Sequence, residues 1–387
     1  MKKEIEKTIN QYWDEVFCHI GTALYNHPEI SEEEYKSSKL ITDFFKKKNF
    51  SVEEKFCNIE TAFKATYKSN RKGPQIALIC EYDALPSMGH GCGHNLISTM
   101  SILAALGLQS VIDTIGGEIH VFGTPAEETN GAKVEMAKRG VFKNLSIAMM
   151  THPSNKTVSS GSSLALCPMQ FKFFGKTTHA AKEPEKGINA LEAVIGTYNN
   201  INALRQYVTS DVRIHGIIDD GGKAANIVPD YASCQFYVRA NKKKYLEEVS
   251  QKVINCAKAS ALSVGAEMEM VPFELSYDDM MTNQALSHCF DTNLISAGEP
   301  FIIPDQESAG SIDMGNVSYE VPSIHPWLGI GCENIALHTK EFADYTQTNQ
   351  AKEAVKRGAI AMAWTGYDVL TDPTLLENIW QEFRKNR

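Results

Sequence analysis

The stretch Ile76-Ala77-Leu78-Ile79-Cys80-Glu81-Tyr82-Asp83, residues 76–83, is a short apolar run that ends in two carboxylates. Because the turn-forming Lys72-Gly73-Pro74 precedes it, the run predicts a buried strand that begins near residue 76. Similar runs follow at 118–122 and 147–150. Since helix-like sequence separates the runs, this part of the chain predicts an α/β fold with a mixed, largely parallel sheet and flanking helices.

Acidic and histidine side chains follow these strands. Asp83 comes after the first, Glu127 and Glu128 come after the second, and His152 comes after the third. In open α/β sheets, the ligand crevice lies beyond the carboxyl ends of the strands. We therefore expect these side chains to converge at one edge of the sheet.

A further cluster, His90-Gly91-Cys92-Gly93-His94-Asn95, lies between the first two strands. Its glycines leave the backbone free to bring the Cys92 thiolate and the His94 imidazole onto one ion. Taken alone, the cluster is equally consistent with a structural thiol beside a hydrogen-bonded histidine. The sequence contains no CxxC pair and no HExxH motif, which disfavours a zinc finger and a helix-borne protease site.

The adjacent Glu127 and Glu128 are consistent with a solvated acidic loop or with a catalytic pair, and Thr124-Pro125 before them suggests a fixed turn. Just past a strand, consecutive side chains tend to point to opposite sides, so one could bind metal and the other could act as a base. A lone histidine such as His152 or His338 is often an ordinary core or surface residue. Asp83 could begin a turn or orient a ligand imidazole.

From about residue 166 the order of strand and helix signals becomes β-α-β-β-α-β, the split βαβ or ferredoxin-like module. The expected division is 1–165 for the first part of one domain, 166–274 for an inserted domain, and 275–387 for the second part. Within the inserted domain, His179 lies in a loop of small residues, where a histidine is often merely exposed.

Composition narrows the class of protein. The net charge of −9 argues against a nucleic-acid partner, because such proteins carry a basic surplus. The N-terminus has no apolar signal core and no segment offers about 18 consecutive apolar residues, so we expect a cytoplasmic protein without a membrane partner. The nine cysteines are odd in number and scattered, unlike a secreted disulfide framework.

Six motifs stand in order along the chain: Glu-Tyr-Asp-Ala-Leu-Pro, Gly-His-Gly-Cys-Gly-His-Asn, Pro-Ala-Glu-Glu, Gly-Lys-Thr-Thr-His-Ala-Ala, Asn-Ile-Val-Pro-Asp and Gly-Ser-Ile-Asp-Met-Gly-Asn-Val-Ser. Together these motifs resemble the acetylornithine deacetylase, succinyl-diaminopimelate desuccinylase and aminoacylase superfamily of dinuclear metallohydrolases. The resemblance runs from about residue 20 to residue 365 and is strongest to the amidohydrolase branch, which includes aminobenzoyl-glutamate hydrolase and some dipeptidases.

The resemblance implies a dinuclear metal site, with Glu127 as general base and acid and Asp83 as an outer-shell residue. Many relatives outside the branch have a histidine where Glu81 stands, and His94 would supply the missing imidazole. The implied ions are two divalent cations, zinc first, with manganese, cobalt or nickel as alternatives. The implied ligands are Cys92, which bridges the ions, and His94, Glu128, His152 and His338.

In the inserted domain, the resemblance implies a lid that also forms a homodimer or a higher homo-oligomer. His179 would approach the partner's active site and stabilise the oxyanion, while Asn226 and Arg239 would hold a substrate carboxylate. Asn226 and Arg239 are also consistent with a turn asparagine and a surface arginine.

The implied activity is metal-dependent hydrolysis of an amide or peptide bond in a small peptide or an N-acyl amino acid. Three alternatives stay open: a peptidase for longer peptides, a catalytically silent metal-binding homologue, and a thiol enzyme that uses Cys92. The thiol enzyme would leave the glutamate pair and His338 without a role.

Overall fold

The computed structural model describes residues 1–305 and 310–387. The helices are α1 (Lys2–Val16), α2 (Thr22–Asn26), α3 (Tyr35–Lys47), α4 (His94–Ile115), α5 (Ala132–Lys138), α6 (Ala190–Leu204), α7 (Lys243–Val264), α8 (Gln284–Ser296), α9 (Met314–Ser318), α10 (Lys340–Tyr345), α11 (Asn349–Thr371) and α12 (Pro373–Asn386). The strands are β1 (Ser51–Glu54), β2 (Phe63–Lys68), β3 (Gln75–Cys80), β4 (Glu118–Gly123), β5 (Ile147–Met149), β6 (His152–Ser154), β7 (Ala165–Phe174), β8 (Arg213–Asp220), β9 (Tyr231–Ala240), β10 (Glu267–Val271), β11 (Ser323–Ile324) and β12 (Trp327–Gly329).

The chain separates into two compact units. The first comprises Met1–Ser162, Met280–Ser308 and Asp313–Arg387, and the second comprises Ser163–Asp279 and Ala309–Ile312. The sequence placed the inserted domain at 166–274. The structure divides the chain a few residues away from those bounds and adds a short later segment to the second unit.

The first unit is built on a six-stranded sheet in the order β1-β2-β4-β3-β5-β11. Strands β4, β3, β5 and β11 pair in parallel, whereas β1 and β2 form an antiparallel edge. The three expected strands are β3, β4 and β5, so the predicted mixed, largely parallel sheet is confirmed. A separate parallel pair, β6 and β12, follows on from β5 and β11.

Helix α4 forms the centre of the first unit and packs against α1, α11 and the strands β3 and β4. Within the described residues, it is the one helix long and apolar enough to cross a membrane, but 89% of its apolar window is buried inside the protein. Such burial is typical of a core helix. Because α4 begins at His94, this rigid helix fixes the position of a predicted ligand.

The second unit has a four-stranded antiparallel sheet in the order β10-β7-β9-β8. Its chain order is β7-α6-β8-β9-α7-β10, which confirms the predicted split βαβ module. Helices α6 and α7 pack on each other and on β7 and β9. The buried side chains of β7, such as Met169, Phe171 and Phe173, alternate with less buried ones because one face of the sheet covers the core.

Candidate metal centre

The loops after β3 and β4, the start of α4 and the strand β6 meet at one edge of the first unit. Cys92, His94 and His152 are buried there, and their ligand atoms lie within 4.8 Å of one another. The same limit holds for Cys92, Glu128 and His338, and for His94, Glu127 and Glu128. The structure therefore brings together all the side chains that the resemblance implied as metal ligands, together with the implied base.

Gly93 lets the thiolate and the imidazole approach this edge. Its φ of +81° is a left-handed conformation that glycine adopts without strain. A Cβ at this position would lie 2.5 Å from Cγ of Pro153, the residue after His152. Only glycine therefore lets the loop pack closely enough for Cys92 Sγ to lie 3.4 Å from His152 Nε2.

The His94 ring is held by Asp83. Its Nδ1 donates to the Asp83 carboxylate at 2.9 Å and is 3.0 Å from the Asp83 carbonyl oxygen. Because this fixes the proton on Nδ1, the Nε2 lone pair is free to bind a cation. Nε2 lies 3.9 Å from Glu127 Oε2 and 3.8 Å from Glu128 Oε1, and it has no hydrogen-bond partner among the described residues.

His152 is oriented in the same way. Its Nδ1 lies 2.7 Å from the carbonyl oxygen of Pro153, which turns Nε2 towards Cys92. His338 contributes from the loop before α10, where its backbone N donates to the Gly91 oxygen at 2.8 Å. Its Nε2 lies 3.7 Å from Glu128 Oε1. Each ring therefore presents one nitrogen to the same small volume.

The loop that carries Glu127 and Glu128 is a turn rather than the end of a strand. Ala126, just before the pair, has a φ of +61°. The alternation expected past a strand therefore does not apply, and both carboxylates face His94 instead of opposite sides. The turn therefore places Glu128, an implied metal ligand, beside the second carboxylate, Glu127.

Burial and charge set the pKa values of these groups. Burial, together with the neighbouring Glu81 and Glu128 carboxylates, raises the pKa of Glu127. Burial alone would raise the pKa of Asp83, but His94, together with the hydrogen bond from the Glu128 N and the charge of Lys133, outweighs it and lowers this pKa to about 2. Burial also raises the pKa of the Cys92 thiol and lowers that of His152.

The donor set fits a divalent cation. Thiolate, imidazole and carboxylate groups are the ligands that zinc and similar metals take in proteins. Buried acceptor atoms without a hydrogen-bond partner among the described residues, namely Glu128 Oε1 and His94 Nε2, face each other across 3.8 Å. Burying these two atoms face to face is costly unless a cation, or a proton on His94 Nε2, lies between them.

The other predicted site residues belong to the second unit. His179 and Asn226 are exposed, and they lie on adjacent loops because His179 pairs with Ile227 and the Ala180 N donates to the Asn226 oxygen. Arg239 is at the end of β9, where its guanidinium donates to Ser311 Oγ at 3.0 Å.

The sequence did not single out Lys133 and Asp313. Lys133 is fully buried, and its Nζ lies 2.7 Å from both Glu81 Oε1 and Asp313 Oδ1. The ion pair fixes the Glu81 carboxylate, whose other oxygen is 3.5 Å from His94 Nε2. Asp313 lies in the Gly-Ser-Ile-Asp-Met-Gly-Asn-Val-Ser motif, but no pattern around Lys133 sets it apart from a surface lysine.

Comparisons with known proteins agree with this architecture. Residues 165–264 match the family model of the peptidase dimerisation domain. The Xaa-Arg dipeptidase of Mus musculus is 35% identical over 94% of this chain and 88% of its own length. A p-aminobenzoyl-glutamate hydrolase chain of Escherichia coli is 25% identical, with 95% of this chain and 92% of its own length covered.

Solved structures share the fold. A putative aminohydrolase from methicillin-resistant Staphylococcus aureus superimposes with a TM-score of 0.79 at 19% identity, covering 95% of this chain and all of that one. A Bacillus subtilis protein described as a dinuclear metal binding peptidase gives 0.63 at 17% identity, covering 92% and 99%. Because the mouse relative is 35% identical along nearly the whole chain, the chain belongs to the M20 peptidase family of amide-bond hydrolases.

Proposed function

We propose that the protein cleaves dipeptides at a centre for two divalent cations, with zinc as the first candidate ion and manganese, cobalt or nickel as alternatives. The observation that carries this proposal is the convergence of a thiol, imidazoles and carboxylates whose acceptor atoms face one another. Cys92, His94, Glu128, His152 and His338 would hold the two ions. Other divalent ions use the same donor types, and metal analysis of the purified protein identifies the native ion.

When bound, the cations would lower the pKa of a water and polarise the scissile carbonyl group. Glu127 would accept a proton from the attacking water and deliver it to the leaving nitrogen. Asp83 keeps the His94 ring in the orientation that turns Nε2 towards Glu127 and Glu128.

We assign the substrate to small peptides with a free C-terminal carboxylate. The mouse relative is named an Xaa-Arg dipeptidase and the Escherichia coli relative a hydrolase of p-aminobenzoyl-glutamate. Both names describe a compact substrate that ends in an amino acid. In the second unit, Arg239 and Asn226 would bind this carboxylate, since a planar guanidinium suits bidentate binding.

The second unit would also join two copies of the chain. Strand β8 is an edge of its sheet and exposes Ile217 and Ile218. An exposed edge strand is a ready template for pairing with another chain. In such a homodimer, His179 of one copy would donate a hydrogen bond to the oxyanion formed in the other, an electrostatic contribution commonly worth about 3 kcal/mol.

Hydrolysis of a small panel tests this proposal. Dipeptides that end in arginine, lysine or glutamate are compared with N-acyl amino acids, p-aminobenzoyl-glutamate and a longer peptide, before and after chelation and metal restoration. We expect cleavage of dipeptides that is lost on chelation and returns with a divalent metal. Cleavage of the longer peptide alone would contradict the substrate assignment, and full activity in metal-free protein would contradict the metal mechanism.

A further inference from the structure

The segment Glu29–Glu34, between α2 and α3, lies against the loop that follows β3. The Ala84 N donates to the Glu29 carbonyl oxygen at 2.8 Å. The Ser31 hydroxyl donates to Asp83 Oδ2 at 3.0 Å. We call this segment, residues 29–34, the bracket. Through Ser31, the bracket holds the Asp83 carboxylate that orients His94.

The other side of the bracket holds the loop that follows β4. Glu34 is completely buried, and its Oε1 accepts hydrogen bonds from the backbone N of Ala126 at 2.9 Å and of Glu32 at 3.0 Å. Its Oε2 accepts from the Thr61 hydroxyl at 2.8 Å. A buried carboxyl group is costly unless it is bonded in this way. No step of the proposed hydrolysis uses Glu34.

Ala126 is the residue that needs this support. Its left-handed φ of +61° costs about 1–2 kcal/mol for a residue with a Cβ. Its carbonyl oxygen accepts from the Gly131 N at 2.7 Å, so both backbone groups of Ala126 are bonded. Glu127 and Glu128 follow immediately, which means that the direction of both carboxylates depends on the Ala126 backbone.

We propose that Glu34 is a positioning residue, which holds the Ala126 turn and thereby aims Glu127 and Glu128 at the metal centre. This inference rests on the proposed function and adds a residue that touches neither metal nor substrate. The bracket links the turn to Asp83 as well, because Asp83 Oδ2 accepts from both Ser31 and the Glu128 N. The spacing of the two loops is thus set by a third segment of the chain.

The test compares three substitutions at Glu34. Glu34→Met keeps the size of the side chain and removes both acceptors, and Glu34→Asp keeps the charge but withdraws it by one methylene group. We expect each to lower kcat by about 10–100-fold with little change in KM, because a small displacement of catalytic groups has effects of this size. Glu34→Gln keeps an acceptor for the Ala126 N, so it should stay within about threefold of the wild-type kcat.

Affinity for Co²⁺ and the Co²⁺ absorption spectrum, measured without substrate, give a readout that a purely structural role would not change. Glu34→Met and Glu34→Asp should weaken the binding of one of the two ions by about 10–100-fold and alter the spectrum. The control is Glu29→Ala. The Glu29 carboxylate caps the start of α3 through the Ser37 N and hydroxyl, away from the Ala126 turn, so this variant should lose stability but keep the wild-type spectrum.

The outcomes separate the two proposals. A wild-type protein that binds no divalent metal contradicts the proposed function. A wild type that binds metal, together with Glu34→Met and Glu34→Asp variants that keep its spectrum and kcat, contradicts the positioning role alone. Equal losses in Glu29→Ala would also overturn it, since they would show that stability and not the Ala126 turn controls the site.

Discussion

Glu127 and Glu128 are neighbours in the chain, yet we give them different roles. Both carboxylates lie within 3.9 Å of His94 Nε2, but Glu128 is also 3.7 Å from His338 Nε2. Glu128 can therefore join two imidazoles through a cation. Burial and the surrounding carboxylates raise the pKa of Glu127, which suits a group that must carry a proton. The difference between the two residues is thus one of surroundings, not of chemical type.

Substitution of each glutamate separates these roles. Glu127→Gln removes the proton acceptor while keeping the shape, so we expect kcat to fall by about 10²–10⁴-fold with bound metal unchanged. Glu128→Gln is the matched comparison and should release metal, because a charged ligand is lost. Rates from stopped assays and metal content by mass spectrometry measure both effects. A Glu127→Gln enzyme with a near-normal rate would remove this residue from the base role.

At the scale of elements, local sequence patterns predict the strands, but they do not predict contacts between residues that are far apart in the chain. The runs at 76–80 and 118–122 are strands because apolar residues bounded by turn signals can be recognised within one window. Thr124-Pro125 indicated a turn before the glutamate pair, but the left-handed φ of Ala126 was not predicted, since alanine gives no sign of a positive φ. Nor was the ion pair between Lys133 and Asp313, whose partners are far apart in the chain and are joined only by the fold.

The start of α4 offers a test of how the loop positions its ligands. Gly93→Ala adds left-handed strain of about 1–2 kcal/mol and a Cβ that lies 2.5 Å from Pro153 Cγ. We expect a larger loss of unfolding free energy than strain alone gives, and weaker metal binding because Cys92 and His94 must move. Chemical denaturation of the metal-free protein and metal titration measure these changes.

The control for this variant is Gly265→Ala, at the end of α7. Gly265 has a similar φ of +74°, but an added Cβ would meet no atom within 4 Å. The Gly265→Ala variant should therefore lose only the unfolding free energy that left-handed strain costs, and it should keep full metal affinity. Equal effects of the two substitutions on metal binding would show that the close approach to Pro153 does not hold the centre together.

At the scale of the whole molecule, the order of elements in the second unit was predictable because each helix and strand carries its own pattern. The sequence did not predict that Ala309–Ile312 belongs to this unit, because a short segment without a periodic pattern gives no sign of its location. The surface through which two copies would pair is likewise not indicated by any motif. The exposed fraction of Ile217 is 60%, although it lies within a strand. A single exposed apolar residue indicates an interface only when it lies on an unpaired edge strand, as Ile217 does.

Charge placed on this edge should therefore separate the subunits. Ile217→Lys puts an ammonium group on the β8 edge, where we propose that a second copy pairs, and burying it would be costly. Leu262→Lys is the matched control, because Leu262 is 83% exposed on α7 of the same unit. Sedimentation velocity should show monomers for the first variant and the wild-type assembly for the second.

Because His179 is proposed to act on the partner's substrate, the Ile217→Lys monomer should also lose about 10²–10³-fold in kcat, as when an oxyanion donor is removed. A fully active monomer would show instead that each chain completes its own site.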